Sequence, residues 1–268
     1  MNEFTKRALT GAVYVSLTIG AAIAGQGATF LLFLPVCLIG AREWNRLYSS
    51  DQESGPGQFR NMLLAGLSYV AWCIAVMAQD IRAVHASAFV LLLLVILAFD
   101  LMRRGVQDPA RVFAGHLANV AYIALPFACS VALVHAHKHL FIGFMLLLWT
   151  SDTGAYLVGR AIGRTKLMPA VSPGKTWEGL GGGVVLTMLV GYLLAMNWTE
   201  LSLKQWMLGA AIVAITATLG DLLESAFKRA RGVKDSGAVL PGHGGILDRF
   251  DGFLLAAPAM WMVVRFYG

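Results

Sequence analysis

Asp221, Ser225 and Lys228 follow one another at i, i+4 and i+7, so on a helix they share one face. Asp221 closes a long apolar run. A carboxylate set deep in a membrane costs about 2.5 kcal/mol or more, so such a residue faces the bundle interior and takes a partner. An ion pair that only holds two helices together meets that need. The next segment asks for more. Lys234-Asp235 precedes Leu240-Pro241-Gly242-His243-Gly244-Gly245, and Ile246-Leu247-Asp248-Arg249-Phe250-Asp251 opens another apolar run. Gly242, Gly244 and Gly245 let the backbone come close to a ligand and offer N–H groups to anions. Asp248 and Asp251 stand at i, i+3 and project to one side if helical. With Asp221 they make a hard oxygen set suited to Mg²⁺. Carboxylates for a metal, beside Lys228, Arg229, Arg231, Lys234 and Arg249 for oxyanions, are the ingredients of phosphoryl or nucleotidyl transfer. A loop whose opposite charges neutralise one another is the plainer use of the same residues; the glycine spacing and the clustered acids favour the chemical one.

A second constellation comprises Ser151-Asp152-Thr153-Gly154-Ala155-Tyr156 and Ser172-Pro173-Gly174-Lys175-Thr176-Trp177-Glu178-Gly179. Gly174-Lys175-Thr176 imitates a phosphate-binding P-loop, but that motif needs a glycine where Pro169 stands and a strand before it. Ser172 and Lys175 remain credible phosphate contacts on a short loop. Trp177 could stack on a base, although an interfacial anchor is the commoner role. Gly179 to Gly183 predict close packing of the following helix on a neighbour.

The elements that must position these residues are apolar. Of the 268 residues, 57% are hydrophobic and 13% charged. A soluble domain carries roughly 25% charge, so most of this surface faces hydrocarbon. Apolar runs fall near 8–24, 27–41, 61–79, 83–101, 112–134, 139–159, 179–197, 206–223 and 252–267, most of them long enough to span a bilayer. None alternates like a membrane barrel strand. The expected fold is therefore an all-α polytopic membrane protein of about nine transmembrane helices. With nine spans, every Lys and Arg of the 21 falls on one side except Arg82, Lys138, Lys204 and Arg265. That asymmetry predicts a cytoplasmic N-terminus and an outer C-terminus. The net charge of +6 is then membrane topology plus phosphate binding, and gives no argument for nucleic acid. Lys6-Arg7 and Ala22-Ile23-Ala24 imitate a cleaved signal, but a second apolar run follows at once, which favours an uncleaved first span.

Cys37, Cys73 and Cys129 all lie in apolar runs and outline no disulfide framework. His135, His137 and His139 alternate in an outer loop. Such spacing can serve a metal, but an exposed polar loop is the plainer expectation. Asp51 to Gln58 and Arg103 to Arg111 read as loops, with Asp108 capping the next helix. Pro126 is expected to kink the fifth span. The polar residues divide the chain in two. Residues 1–135 form a membrane scaffold with few ionisable side chains inside, and residues 136–268 carry the charged, glycine-rich cytoplasmic loops.

From Ser225 to Asp251 the string SAFKRARGVKDSGAVLPGHGGILDRFD resembles the signature of the phosphatidate cytidylyltransferases, also called CDP-diacylglycerol synthases. Ser225, Lys228-Arg229, Lys234-Asp235, His243-Gly244-Gly245 and Asp248-Arg249-x-Asp251 meet each of its positions. SDTGAYLVGR and SPGKTWEG resemble the family's second block, with Gly174 where the family carries a larger polar or basic residue. The resemblance implies transfer of the cytidylyl group of CTP to phosphatidate, giving CDP-diacylglycerol and pyrophosphate. It places Asp221, Asp248 and Asp251 around one or two Mg²⁺-like ions, with Lys228 and Lys234 beside them at the reacting phosphates. Lys175, Arg229 and Arg249 would hold triphosphate and lipid phosphate, with Ser172, Ser225 and His243 as hydrogen-bond donors and Asp152 as a metal or helix-packing partner. It also implies a homodimer, and a bacterial inner membrane is the expected home for so compact a chain. Two other functions use the same features: a CTP-dependent lipid alcohol kinase, and a transporter with Asp152 and Asp221 on an ion pathway.

Overall fold

In hydrocarbon every backbone N–H and C=O must be satisfied within the chain, and the apolar runs among the described residues accordingly fold as helices. The structure is a computed structural model and describes residues 3–48, 55–77, 95, 109–237, 239 and 244–267. Helix α1 (Glu3–Ala24) turns at Gly25, which takes φ +105°, into α2 (Gln26–Tyr48), and the two pack on each other. Helix α3 is Gly55–Met77. The expected fourth span at 83–101 and the Asp108 cap lie outside the described residues. After α4 (Pro109–Ala118), a π turn (Asn119–Ala124) and α5 (Leu125–Ala136), the chain continues into α6 (Lys138–Ile162). A hairpin of β1 (Lys166–Met168) and β2 (Ser172–Thr176) leads to α7 (Trp177–Asn197), α8 (Leu203–Ala230), a single turn α9 (Leu247–Phe250) and α10 (Phe253–Tyr267).

Five described helices are long and apolar enough to cross a membrane: Gln26–Tyr48, Phe113–Ala136, Lys138–Ile162, Trp177–Asn197 and Leu203–Ala230. Their ends are set by local chemistry. His137 caps α6, Thr176 caps α7 by accepting from the Gly179 N–H at 3.1 Å, and Ser202 with Gln205 forms a capping box on α8.

Two expectations are corrected, the loop bounds and the all-helical chain. Gly55 to Gln58 are the first turn of α3 rather than loop, since Pro56 is tolerated at a helix start; likewise Pro109 to Arg111 begin α4. Ahead of Pro126, where a kink is expected, the helix takes a π turn in which the Leu125 N–H reaches back to the Val120 carbonyl. Proline removes one helical donor and crowds the preceding turn, and the wider π turn absorbs both effects. The segment Gly163 to Thr176 is an antiparallel hairpin, the one described departure from an all-helical chain.

The core that holds the acidic turn is aromatic. Phe250 and Phe253 flank Asp251 and Gly252, with ring centroids 5.1 Å apart. Phe127 from α5 lies 5.2 Å from Phe250 and 5.5 Å from Phe253, and Phe33 from α2 stacks on Phe127 at 5.6 Å. Glycines bring the helices into close contact. Gly179 and Gly183 of α7 face the Ala155 and Ser151 carbonyls of α6, as their spacing predicts, and Gly182 faces Val158. Gly220 of α8 meets the Asp251 carbonyl and Gly252, so the acidic turn lies directly against Asp221's helix.

Candidate active site

Two ion-paired groups form at the C-terminal ends of α6 and α8. The first is built around Lys175. The hairpin projects this lysine onto α8, where its Nζ lies 2.5 Å from Asp221 Oδ2 and donates to the Thr218 carbonyl at 3.4 Å. Ser225, one turn on, donates to Asp221 Oδ1 at 3.1 Å, as the i, i+4 spacing requires. Asp251 feels the negative charges of Asp221 and Asp152 and the positive charge of Lys175. Burial first, and then the Asp221 charge, raise its carboxyl above the ordinary carboxylate range. Asp152 is within electrostatic reach of Lys175 and Asp221. Lys175 is thus paired with Asp221, with two further carboxyl groups, Asp152 and Asp251, within electrostatic reach.

The second group is built around Lys228, which is buried. Its Nζ lies 2.7 Å from Asp248 Oδ1 and 3.1 Å from Glu224 Oε1. The other Asp248 oxygen accepts from the Ser236 N–H at 2.9 Å, the Ser236 hydroxyl at 3.0 Å and the Gly245 N–H at 2.7 Å. Burial alone would raise this carboxyl, but the Lys228 hydrogen bond and the two N–H donors hold it below its ordinary value.

Glu43 completes the arrangement from α2. Its side chain is buried, with Oε1 accepting from the Ile246 N–H at 3.0 Å and Oε2 from the Leu247 N–H at 2.9 Å and the Ser236 hydroxyl at 3.1 Å. The successive N–H groups of Gly245, Ile246 and Leu247 are an anion nest, and here protein carboxylates fill it. The glycines follow from that. Gly244 takes φ +79°, and a Cβ there would meet Asp248 Oδ2 at 2.6 Å; a Cβ on Gly245 would collide with Ser236 and Glu43. Arg231 ties the turn after α8 to the same helix, donating to the Leu47 and Tyr48 carbonyls.

The cytidylyltransferase family model matches residues 5–267. The chain belongs to that family. The phosphatidate cytidylyltransferases of Staphylococcus haemolyticus (strain JCSC1435) and Staphylococcus saprophyticus subsp. saprophyticus are 43% and 42% identical to this cytidylyltransferase-family chain over 146 residues. That is 54% of the chain and 56% of each relative, so the chain spans a little over half the length of the curated relatives it matches.

In this cytidylyltransferase-family chain the expected metal set does not gather as one. Asp221 and Asp251 face Lys175, whereas both oxygens of Asp248 are taken up by Lys228, Ser236 and Gly245. Among the described residues, neither Asp221, Asp248 and Asp251 nor Asp152, Asp221 and Asp251 bring their oxygens within 4.8 Å of one another. The Asp152, Asp221 and Asp251 group still fits Mg²⁺ by its donors. Magnesium keeps several waters and uses one or two carboxylates together with substrate phosphates, so a loose acidic set is sufficient.

The other expected residues are spread around this centre. Arg229 donates to the Val233 carbonyl at 3.1 Å and is exposed, as are Lys234 and Arg249. Ser172 opens β2, paired with Met168. Glu178 accepts from the Arg164 and Thr165 N–H groups at 3.1 Å and so fastens the hairpin, while Trp177 is exposed. His243 lies outside the described residues. Glu43 and Glu224 were not expected; Glu43 lies just beyond the apolar run 27–41, between Arg42 and Arg46, where an acid reads as part of a charged loop.

Proposed function

We propose that this chain transfers the cytidylyl group of CTP to phosphatidate, giving CDP-diacylglycerol and pyrophosphate. The observation that carries this is the Lys175–Asp221 pair with Asp251 and Asp152, an acid-rich centre in the C-terminal halves of α6 and α8 and the turn before α10. One substrate is a lipid whose phosphate lies at the bilayer surface and the other a soluble polyanion; a site at the helix ends meets both.

A phosphatidate oxygen attacks the α-phosphorus of CTP in line, a new P–O bond forms, and the bond to the β-phosphate bridging oxygen breaks, releasing pyrophosphate. The attacking oxygen is already anionic, so the protein supplies positioning and charge neutralisation rather than a nucleophile. Lys175, Arg229, Lys234 and Arg249 hold phosphate oxygens, and Ser172, Ser225 and His243 donate hydrogen bonds. Asp152, Asp221 and Asp251 would hold Mg²⁺, and the chemistry it would supply is charge neutralisation at the phosphates. Lys228 and Asp248 neutralise each other and fix the turn that presents Asp251. Nine spans with a cytoplasmic N-terminus, an outer C-terminus, a scaffold half and a catalytic half, a bacterial inner membrane and a homodimer complete the proposal; the placement of Lys and Arg supports the topology.

The test is pyrophosphate release by detergent-purified protein given CTP, phosphatidate and Mg²⁺. Release that needs all three, with CDP-diacylglycerol appearing in step, is expected. CDP in place of pyrophosphate would make the chain a kinase, and no turnover by folded protein would sink the transferase.

A further inference from the structure

At the other end of the bundle, where α6 and α8 begin, a second cluster of ligand-type side chains belongs to none of this. His137 caps α6 and His139 lies in its first turn, while Glu200 sits in the turn between α7 and α8. The Nδ1 atoms of His137 and His139 approach the same carboxylate oxygen, Glu200 Oε1, at 2.8 and 2.7 Å. The second oxygen of Glu200 is buried and accepts no hydrogen bond. His135 is not part of the group, because its Nδ1 is engaged by Gln26.

The hydrogen-bond arithmetic at His137 is the telling feature. Its Nδ1 accepts the His139 N–H at 3.3 Å, which needs a lone pair, and it also faces a carboxylate oxygen, which needs a proton or a cation. A cation that takes the Nδ1 lone pair in place of the long 3.3 Å contact from the His139 N–H satisfies the imidazoles and the carboxylate together. The surroundings hold the ligands in place. The His139 ring stacks on Trp198 at 4.6 Å with an interplanar angle of 6°, and Trp198 packs on the fully buried Trp206. Leu201 is buried, and the Ser202–Gln205 capping box fixes the turn that carries Glu200. Solvent still reaches the ligands, since the side chains of His137, His139 and Glu200 are 43%, 31% and 17% exposed.

We propose that His137, His139 and Glu200 bind a divalent transition-metal cation of the zinc class at the end of the bundle opposite the Lys175–Asp221 centre. All three ligand atoms lie within 4.8 Å of one another. Metal–ligand bonds of about 2.0–2.2 Å need only small side-chain adjustments from there. Two imidazole nitrogens and one carboxylate oxygen suit zinc, nickel or copper and disfavour magnesium, which takes oxygen ligands. With three protein ligands, a coordination position is left for water. The ion links the α5–α6 turn to the α7–α8 turn, and so clasps two helix pairs at one end. The proposal does not depend on the activity proposed above.

Zinc binding by the full chain, purified in detergent without a histidine tag and stripped with chelator, tests it. Zn²⁺ is titrated in excess Mg²⁺, and bound metal is measured after dialysis. Wild type is expected to take up about one zinc per chain, with a thermal midpoint that rises with zinc concentration. E200Q, which keeps the shape of the side chain, and H137A should each weaken binding on the order of tenfold or more. D221N should bind zinc as wild type does. E200Q and H137A should leave cytidylyl transfer unchanged. A wild type that binds no zinc, or an E200Q that binds it equally well, overturns the site.

Discussion

Asp221 and Asp248 are both acids in a helical setting near a lysine, yet their surroundings give them different work. The Asp221 side chain is one-third exposed and has one ammonium partner, Lys175; that of Asp248 is 8% exposed and accepts from Lys228, Ser236 and Gly245. Asp221→Asn should therefore lower turnover on the order of 100-fold or more, with the thermal midpoint in detergent little changed. Asp248→Asn should lose turnover and stability together, by about 3 kcal/mol, because it removes one of the two carboxylates paired with the buried Lys228 and leaves the Ser236 and Gly245 N–H groups a neutral acceptor. Turnover and midpoint measured on both variants decide this; Asp248→Asn unfolding at the wild-type temperature would overturn the division of roles. Most of the residues involved were visible in the sequence, since Asp, Lys and Gly at fixed spacing betray phosphate chemistry before any fold is known. Which acids meet was not visible. Asp248 and Asp251 stand one turn apart, but Lys228 takes the first, while Lys175 takes Asp221 and the second lies within reach of that pair's charges. Glu43 escaped altogether, because its partners Ile246 and Leu247 lie 203 and 204 residues along the chain.

Helices were the easiest elements to foresee. A span needs a long apolar run, and long runs leave little room for error, so the described helices follow the expected segments closely. Errors fell on short or terminal pieces. Strands of three and five residues, β1 and β2, are too short to show a period, and the first turns of α3 and α4 look like loop because they begin with glycine or proline. The glycine run of α7 supports a sharper statement about one element. Gly181 has open space around its Cβ position, whereas a Cβ on Gly182 would strike the Val158 side chain of α6. The two neighbours gain the same helix propensity on substitution, so any difference between them reports packing alone. Gly182→Leu should be less stable than Gly181→Leu by about 1–3 kcal/mol, as overpacked contacts are. Thermal unfolding of the pair in one detergent measures it, and equal midpoints would mean that α6 and α7 do not lie this close.

At the scale of the molecule, the two ends of the bundle differ in chemistry, and that difference has a direction. Lys175, Asp221, Lys228 and Asp248 gather at one end, and His137, His139 and Glu200 at the other. CTP is a polyanion that does not cross a bilayer, so a transferase must open its lysine-rich end toward the compartment that holds CTP. The bias of Lys and Arg toward one set of loops points the same end to the cytoplasm. The three native cysteines are buried, so a cysteine placed at the surface reports on itself. Gly174 has no neighbour within 4 Å of a Cβ and Lys204 is exposed; the two flank α7 (Trp177–Asn197), whose length of about 31 Å matches a bilayer core. A membrane-impermeant maleimide should label Lys204→Cys in right-side-out vesicles and Gly174→Cys only in inside-out ones. If both react from one side, α7 does not cross. If the pattern is reversed, the lysine-rich end faces away from CTP, and the proposed reaction has no supply of its nucleotide.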